Sequence, residues 1–175
     1  MTKLRRVLIY TFFTITFFVL QGTLFKAISF GNISPNLLLI LAVSLGLMRG
    51  KKTGLLVGFF SGLLMDIFVS EYIGFYALLL MYLGYLAGSF NKVFYDEDVK
   101  LPIATIILTD LIYGICCYGF MYLLRGRLHF SYYFLHICIP ECVYTILLTI
   151  IVYPLILLIN KGLSSLERKQ EKKFV

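Results

Sequence analysis

Residues 36–69 read NLLLILAVSLGLMRGKKTGLLVGFFSGLLMDIFV. Two apolar runs flank a basic hinge, Arg49-Gly50-Lys51-Lys52. From Gly46 a glycine recurs at every fourth residue, through Gly50, Gly54, Gly58 and Gly62, and Asp66 falls at the next step. Residues four apart share one face of a helix, so Gly54, Gly58, Gly62 and Asp66 predict a groove along one side of a helix with an acid at its end. In lipid, helices associate through close packing, and glycine lets two backbones approach.

Outward from this stretch the chain keeps one character. Of its 175 residues 60% are hydrophobic and 14% charged, against about 45–50% and about 25% in soluble domains. A membrane span takes roughly 20 mostly apolar residues. Six such blocks are expected as spans, over about 7–25, 34–48, 53–69, 73–90, 101–124 and 132–159. Backbone polar groups in lipid must be satisfied within their own segment. The expected fold is therefore an all-α, six-transmembrane-helix bundle, with residues 1–175 forming one transmembrane domain and no room for a soluble catalytic unit. The glycine groove is expected to pack against span one, two or six, with another protein's helix as the alternative occupant.

The net charge of +7 is read by position. Lys and Arg in short loops stay in the cytoplasm. With six spans and both termini inside, the cytoplasmic side holds Lys3, Arg5, Arg6, Arg49, Lys51, Lys52, Lys92, Lys100, Lys161, Arg168, Lys169, Lys172 and Lys173, leaving only Lys26, Arg125 and Arg127 outside. A membrane topology thus accounts for the charge without a nucleic-acid partner. The first block lacks a small-x-small cleavage pattern and reads as a retained span. The second block is the weakest, since 13 apolar residues reach only about 20 Å; a re-entrant hairpin there would reverse the charge bias, and a short helix can cross by drawing in Ile33 and Ser34. The tail, residues 161–175, alternates charges as a solvated helix end lying on anionic headgroups.

Three acids fall inside expected spans: Asp66 in the outer third of the third, Asp110 and Glu141 near mid-depth in the fifth and sixth. A carboxylate there is costly unless paired, protonated or hydrated. No Lys or Arg lies well inside a span. The acids are expected either to bond to tyrosines and hydroxyls (Tyr113, Tyr118, Tyr144, Thr105, Thr109, Thr145) or to line a polar cavity or a cation or proton path. His136, Cys138, Glu141 and Cys142, with Cys116 and Cys117, carry metal-binding side chains, but no C-x-x-C pair occurs and Pro140 interrupts the local helix, so no metal site is expected. Nor is a cofactor expected. No P-loop, G-x-S-x-G or H-E-x-x-H is present, so the chain is not read as an enzyme.

Pro35-Asn36 followed by leucines, then Gly54-x-x-x-Gly58-Phe59-x-x-Gly62-Leu63-Leu64-x-Asp66, then Gly74-Phe75-x-Ala77-Leu78, resembles the central signature of the MreD family of rod shape-determining membrane proteins. The family often has an acid where Asn36 stands, and the cysteines match no family pattern. The resemblance implies a non-enzymatic scaffold of the bacterial cell-elongation machinery, multi-pass in the inner (cytoplasmic) membrane, with a part in cell shape and peptidoglycan synthesis. Its implied partners are a single-span MreC-like protein and, directly or indirectly, MreB, RodA and its transpeptidase, besides membrane lipid, with a homo-oligomer as one allowed arrangement. The site residues it points to are Pro35, Gly54, Gly58, Gly62, Asp66 and Gly74. At fold level the family also resembles the S components of energy-coupling-factor transporters. That sets up a rival reading as a vitamin-binding subunit, with Asp66, Glu71, Tyr72, Tyr132 and Tyr133 lining a pocket.

Overall fold

A computed structural model describes residues 2–25, 34–70, 72–92, 100–123 and 130–171. The described chain is helical throughout its elements. Helix α1 (Thr2–Leu20) runs into a π turn (Gln21–Phe25), and α2 (Leu37–Arg49), α3 (Lys51–Phe68) and α4 (Phe75–Ser89) follow, the last ending in a 3₁₀ turn (Phe90–Lys92). Helix α5 (Lys100–Cys117) continues as a π turn (Tyr118–Leu123). A short α6 (Phe130–Tyr133) joins through a π turn (Phe134–Cys138) to the long α7 (Ile139–Glu171). With α6 and α7 counted as one continuous helix, the described residues form the six-helix fold expected of the sequence, with no strand among them.

Among the described residues three helices are long and apolar enough to cross a membrane by length and composition: Arg5–Thr23, Lys100–Phe120 and Phe134–Ser165. The shorter α2 does something else. All of Leu37–Leu47 is buried, so α2 is a central pillar surrounded by the other helices and not a lipid-facing span. It does not draw in Ser34, for the helix begins at Leu37; Ile33 lies outside the described residues. A helix apolar on every side belongs in an interior.

A buried helix still has unpaired amides and carbonyls at its ends. At the start of α2, the Asn36 side chain accepts from Leu39 N–H at 3.1 Å, and Gln21 Oε1, from the end of the first helix, accepts from Leu38 N–H at 3.2 Å. The Asn36 N–H in turn donates to Thr145 Oγ1 of α7 at 3.4 Å. At the other end, Asn91 Nδ2 donates to the Leu47 carbonyl at 2.5 Å. Arg49 reaches α7, donating from Nε to Asn160 Oδ1 at 2.5 Å and from Nη2 to the Asn160 carbonyl at 3.3 Å and Ser164 Oγ at 3.0 Å. The pillar is thus fastened by side chains from its neighbours.

Arg49 therefore has a structural role beside its charge. Arg49→Met, which keeps the apolar stem and removes the donors, is expected to cost about 2 kcal/mol, the worth of charge-assisted hydrogen bonds at a half-buried site. Hydrogen exchange at the amides around Asn160–Ser164 checks it; unchanged protection there would show that the tie is idle.

A single residue, Gly50, turns the chain from α2 into α3, with φ of 93°. Side chains with a Cβ rarely adopt that backbone region, so the tight reversal calls for glycine. Helices α2, α3 and α4 pack on one another as the tightest part of the molecule, with α1 laid against α2 and α3, and α5 and α7 closing the other side of α2. Helix α7 also extends as one helix well into the basic tail, to Glu171.

Candidate functional site

The glycine ladder faces α4 along its length and, at Gly54, also the expected span two, where Gly46 of α2 lies beside it. A Cβ built on Gly54 would overlap the Gly84 carbonyl oxygen, one on Gly58 the Leu80 carbonyl, and one on Gly62 the Tyr76 carbonyl and the Ala77 Cα. Every neighbour in those overlaps is backbone, which has no rotamer to change. The α3 and α4 main chains are in contact along three helical turns, in the close approach that small residues permit.

Helix α4 answers with its own glycines. Gly84 and Gly88, one turn apart, are both buried, and a Cβ on Gly88 would come within 2.6 Å of the Lys51 backbone. At one level all three helices of the block meet, since a Cβ on Gly46 would lie 2.7 Å from the Gly84 carbonyl oxygen and 3.4 Å from the Gly54 Cα. Gly84-x-x-x-Gly88 was present in the sequence as the second half of the seam, readable by the same spacing that marks the first.

Asp66 closes the ladder, 1% exposed. Its carboxylate accepts three backbone N–H groups from the start of α4: Gly74 N–H and Ala77 N–H donate to Oδ2 at 3.0 and 2.9 Å, and Tyr76 N–H donates to Oδ1 at 2.9 Å. The acid is a helix cap supplied from the preceding helix. It satisfies amides that have no partner within α4 and places negative charge at the positive end of the α4 dipole. This corrects the two expectations for Asp66: its partners are main-chain amides, neither tyrosine and threonine hydroxyls nor the wall of a polar path. Gly74, φ 101°, is the N-cap residue of α4 in left-handed conformation, which lets the chain turn so that its amide faces the acid. Pro35, also buried, sits just before the Asn36 cap of α2.

Asp110 of α5 and Glu141 of α7 lie within electrostatic reach of each other where those two helices pack. Asp110 is 2% exposed; among the described residues neither of its oxygens has a hydrogen-bond partner of good geometry, and Cys142 and Thr145 of α7 face it. The threonines expected to serve the acids use their hydroxyl hydrogens on their own helices: Thr105 donates to the Leu101 carbonyl at 2.8 Å, Thr109 to the Thr105 carbonyl at 2.8 Å and Thr145 to the Glu141 carbonyl at 2.9 Å. Cys116, Cys117, Cys138 and Cys142 are free thiols, and among the described residues no three His, Cys, Asp or Glu side chains are grouped to hold a metal ion. Where α5 meets α7, Gly114 leaves room for the Cys138 Sγ, which would lie 2.5 Å from a Cβ there.

The transporter-type pocket lacks its proposed anchor, because the Asp66 oxygens are committed to amides of α4. Tyr132 lies instead against His136, ring centroids 4.4 Å apart, and Tyr133 against Tyr118; Glu71 lies outside the described residues. The seam and the Asp66 cap together hold α2, α3 and α4 as one block.

The family model for rod shape-determining protein MreD matches residues 1–161. No curated protein and no solved structure matches the chain. Those 161 residues take in the pillar, the glycine seam, the Asp66 cap and most of α7, and on that evidence the chain belongs to the MreD family of rod shape-determining membrane proteins.

Proposed function

We propose that this protein is a non-enzymatic scaffold in the bacterial inner membrane that binds a single-span MreC-like partner and, through it, links cytoskeletal MreB to RodA and its transpeptidase during cell elongation. The observation that carries this reading is the family match over 161 residues. The rigidity of the α2–α3–α4 block supports it, since a scaffold must hold its docking faces in fixed relation. In this reading Gly54, Gly58, Gly62, Asp66 and Gly74 act inside the chain, building that block, and Pro35 sets the start of the pillar. With the ladder occupied by α4, a partner's span falls to the outward faces of α1 and α7.

We take the basic end of the bundle as cytoplasmic. Arg6 and Thr53 line one cavity mouth, Arg49 binds Asn160, and Asn91 caps α2, which gathers the start of α1, the α2–α3 hinge, the end of α4 and the inner part of α7 at one end. That grouping agrees with the rule that Lys and Arg stay inside.

The test is a crosslinking pull-down of the tagged full chain from bacterial membranes. Capture of MreC together with elongation proteins is the expected result. Capture of transporter ATPase subunits without MreC would replace the scaffold with the vitamin-binding reading.

A further inference from the structure

Helices α1 and α3 run side by side in the same direction. Near one end they touch, with the Phe18 and Phe68 rings 5.4 Å apart between centroids. Towards the basic end they leave an open cleft of about 390 Å³ between them, lined from Arg6 and Thr53 at its mouth to Ile15 and Leu64 at its depth. Its walls are chiefly apolar, through Val7, Leu56, Val57 and Phe60, and Thr14 is made less polar by donating its hydroxyl to the Tyr10 carbonyl at 2.9 Å.

Length identifies the occupant. Arg6 to Ile15 on α1 and Thr53 to Leu64 on α3 span roughly 14–17 Å at 1.5 Å per residue. One leaflet, half of a hydrocarbon core about 30 Å thick, is roughly 15 Å deep. The cleft is one leaflet deep and ends at the Phe18–Phe68 contact, whereas a partner's spanning helix needs a seam across the full thickness. Charge points the same way. Arg6 lines the cleft at its basic end, the exposed Arg5 and Lys52 adjoin its lining residues Arg6 and Thr53 in the chain, and α3 begins there with a cap residue, Gly50, that offers no side-chain acceptor, so the positive end of its dipole adds to the cations. Cations clustered where an apolar stretch meets the headgroup layer attract anionic lipid.

We propose that the α1–α3 cleft seats one anionic glycerophospholipid of the leaflet at the basic end, its phosphate among Arg5, Arg6 and Lys52 and an acyl chain filling the cleft up to Phe18 and Phe68. The inference rests on the membrane placement of α1 and α3 and does not depend on which protein the scaffold binds. The lipid would also fix the spacing between α1, the most loosely held helix, and the rigid block.

The chain has no tryptophan, which gives a direct test. Phe60→Trp puts the protein's single tryptophan in the cleft, excited selectively over tyrosine at long wavelength, and Tyr82→Trp, on the exposed face of α4, reports ordinary surrounding lipid. The full-length variants are reconstituted in bilayers containing brominated phosphatidylglycerol or brominated phosphatidylcholine, and quenching is titrated. At position 60 phosphatidylglycerol is expected to be preferred by roughly thirtyfold, the weight of two basic side chains at a membrane surface, and at position 82 to show no preference. Adding Arg6→Gln and Lys52→Gln should remove the preference at position 60 while the lipid still quenches. Equal quenching by the two lipids at position 60, or none by either because a helix of another protein covers the cleft, overturns the proposal.

Discussion

Gly58→Leu removes the folded protein from the membrane. Even a methyl group at position 58 would overlap the Leu80 carbonyl of α4, and the Met81 backbone nitrogen is 3.0 Å from the same point. Leucine adds a branched chain where no space exists, so α3 and α4 must separate along the whole ladder. Overpacking a core typically costs about 1–3 kcal/mol and sometimes more. Here the obstacle is main chain on both sides, which places the cost at the upper end, about 3 kcal/mol or above. Gly62→Leu should behave alike, because its overlap with Tyr76 and Ala77 is equally with backbone. Gly162→Ala is the control, since nothing lies within 4 Å of a Cβ there and alanine in a helix interior gains about 0.5–1 kcal/mol over glycine. Accumulation in membranes and resistance to limited proteolysis separate the variants. If Gly58→Leu accumulates normally and still supports rod shape, the α3–α4 seam is not what holds the block together.

The ladder itself was legible because a period of four is visible in one segment. Its partner was not, because a seam needs a second helix, and the spacing of Gly84 and Gly88 becomes meaningful only when α4 is known to run back along α3. Burial posed a similar difficulty for α2. A run of 13 apolar residues looks like a poor span when judged by length, yet hydropathy does not distinguish a side chain facing lipid from one facing protein. Asn91, in the turn that ends α4, and Asn160 and Ser164, within α7, hold the pillar and are isolated polar residues with no pattern of their own. Asp66 was legible as a buried acid that needed a partner, but the partners are backbone amides, which every residue carries. Side-chain pattern points instead to hydroxyls such as Thr105, Thr109 and Thr145, whose hydrogens are spent on their own helices.

Asp66 should accordingly behave as a fold residue whose loss is graded by acceptor count. Asp66→Ala leaves the amides of Gly74, Tyr76 and Ala77 without their acceptor at a site where the side chain was 1% exposed. Each orphaned buried donor costs about 1–3 kcal/mol, so a loss of about 3 kcal/mol or more is expected. Asp66→Asn keeps one acceptor oxygen and turns an amino group towards at least one N–H, and it removes the charge at the positive end of α4; about 1–3 kcal/mol is expected. Asp66→Glu keeps the carboxylate but adds a methylene in a buried corner, where overpacking costs about 1–3 kcal/mol. Folded protein in membranes, and protection of the Gly74–Ala77 amides against exchange, should therefore fall from Asp to Asn to Ala, and the rod-shape defect should follow the amount of folded protein. A proton or cation carrier predicts a different pattern: Asp66→Asn would accumulate and protect α4 normally while failing in cell shape. Because the three amides compete for the carboxylate oxygens, proton or cation binding by the acid would weaken its hold on the start of α4, and exchange at Gly74–Ala77 would register that weakening.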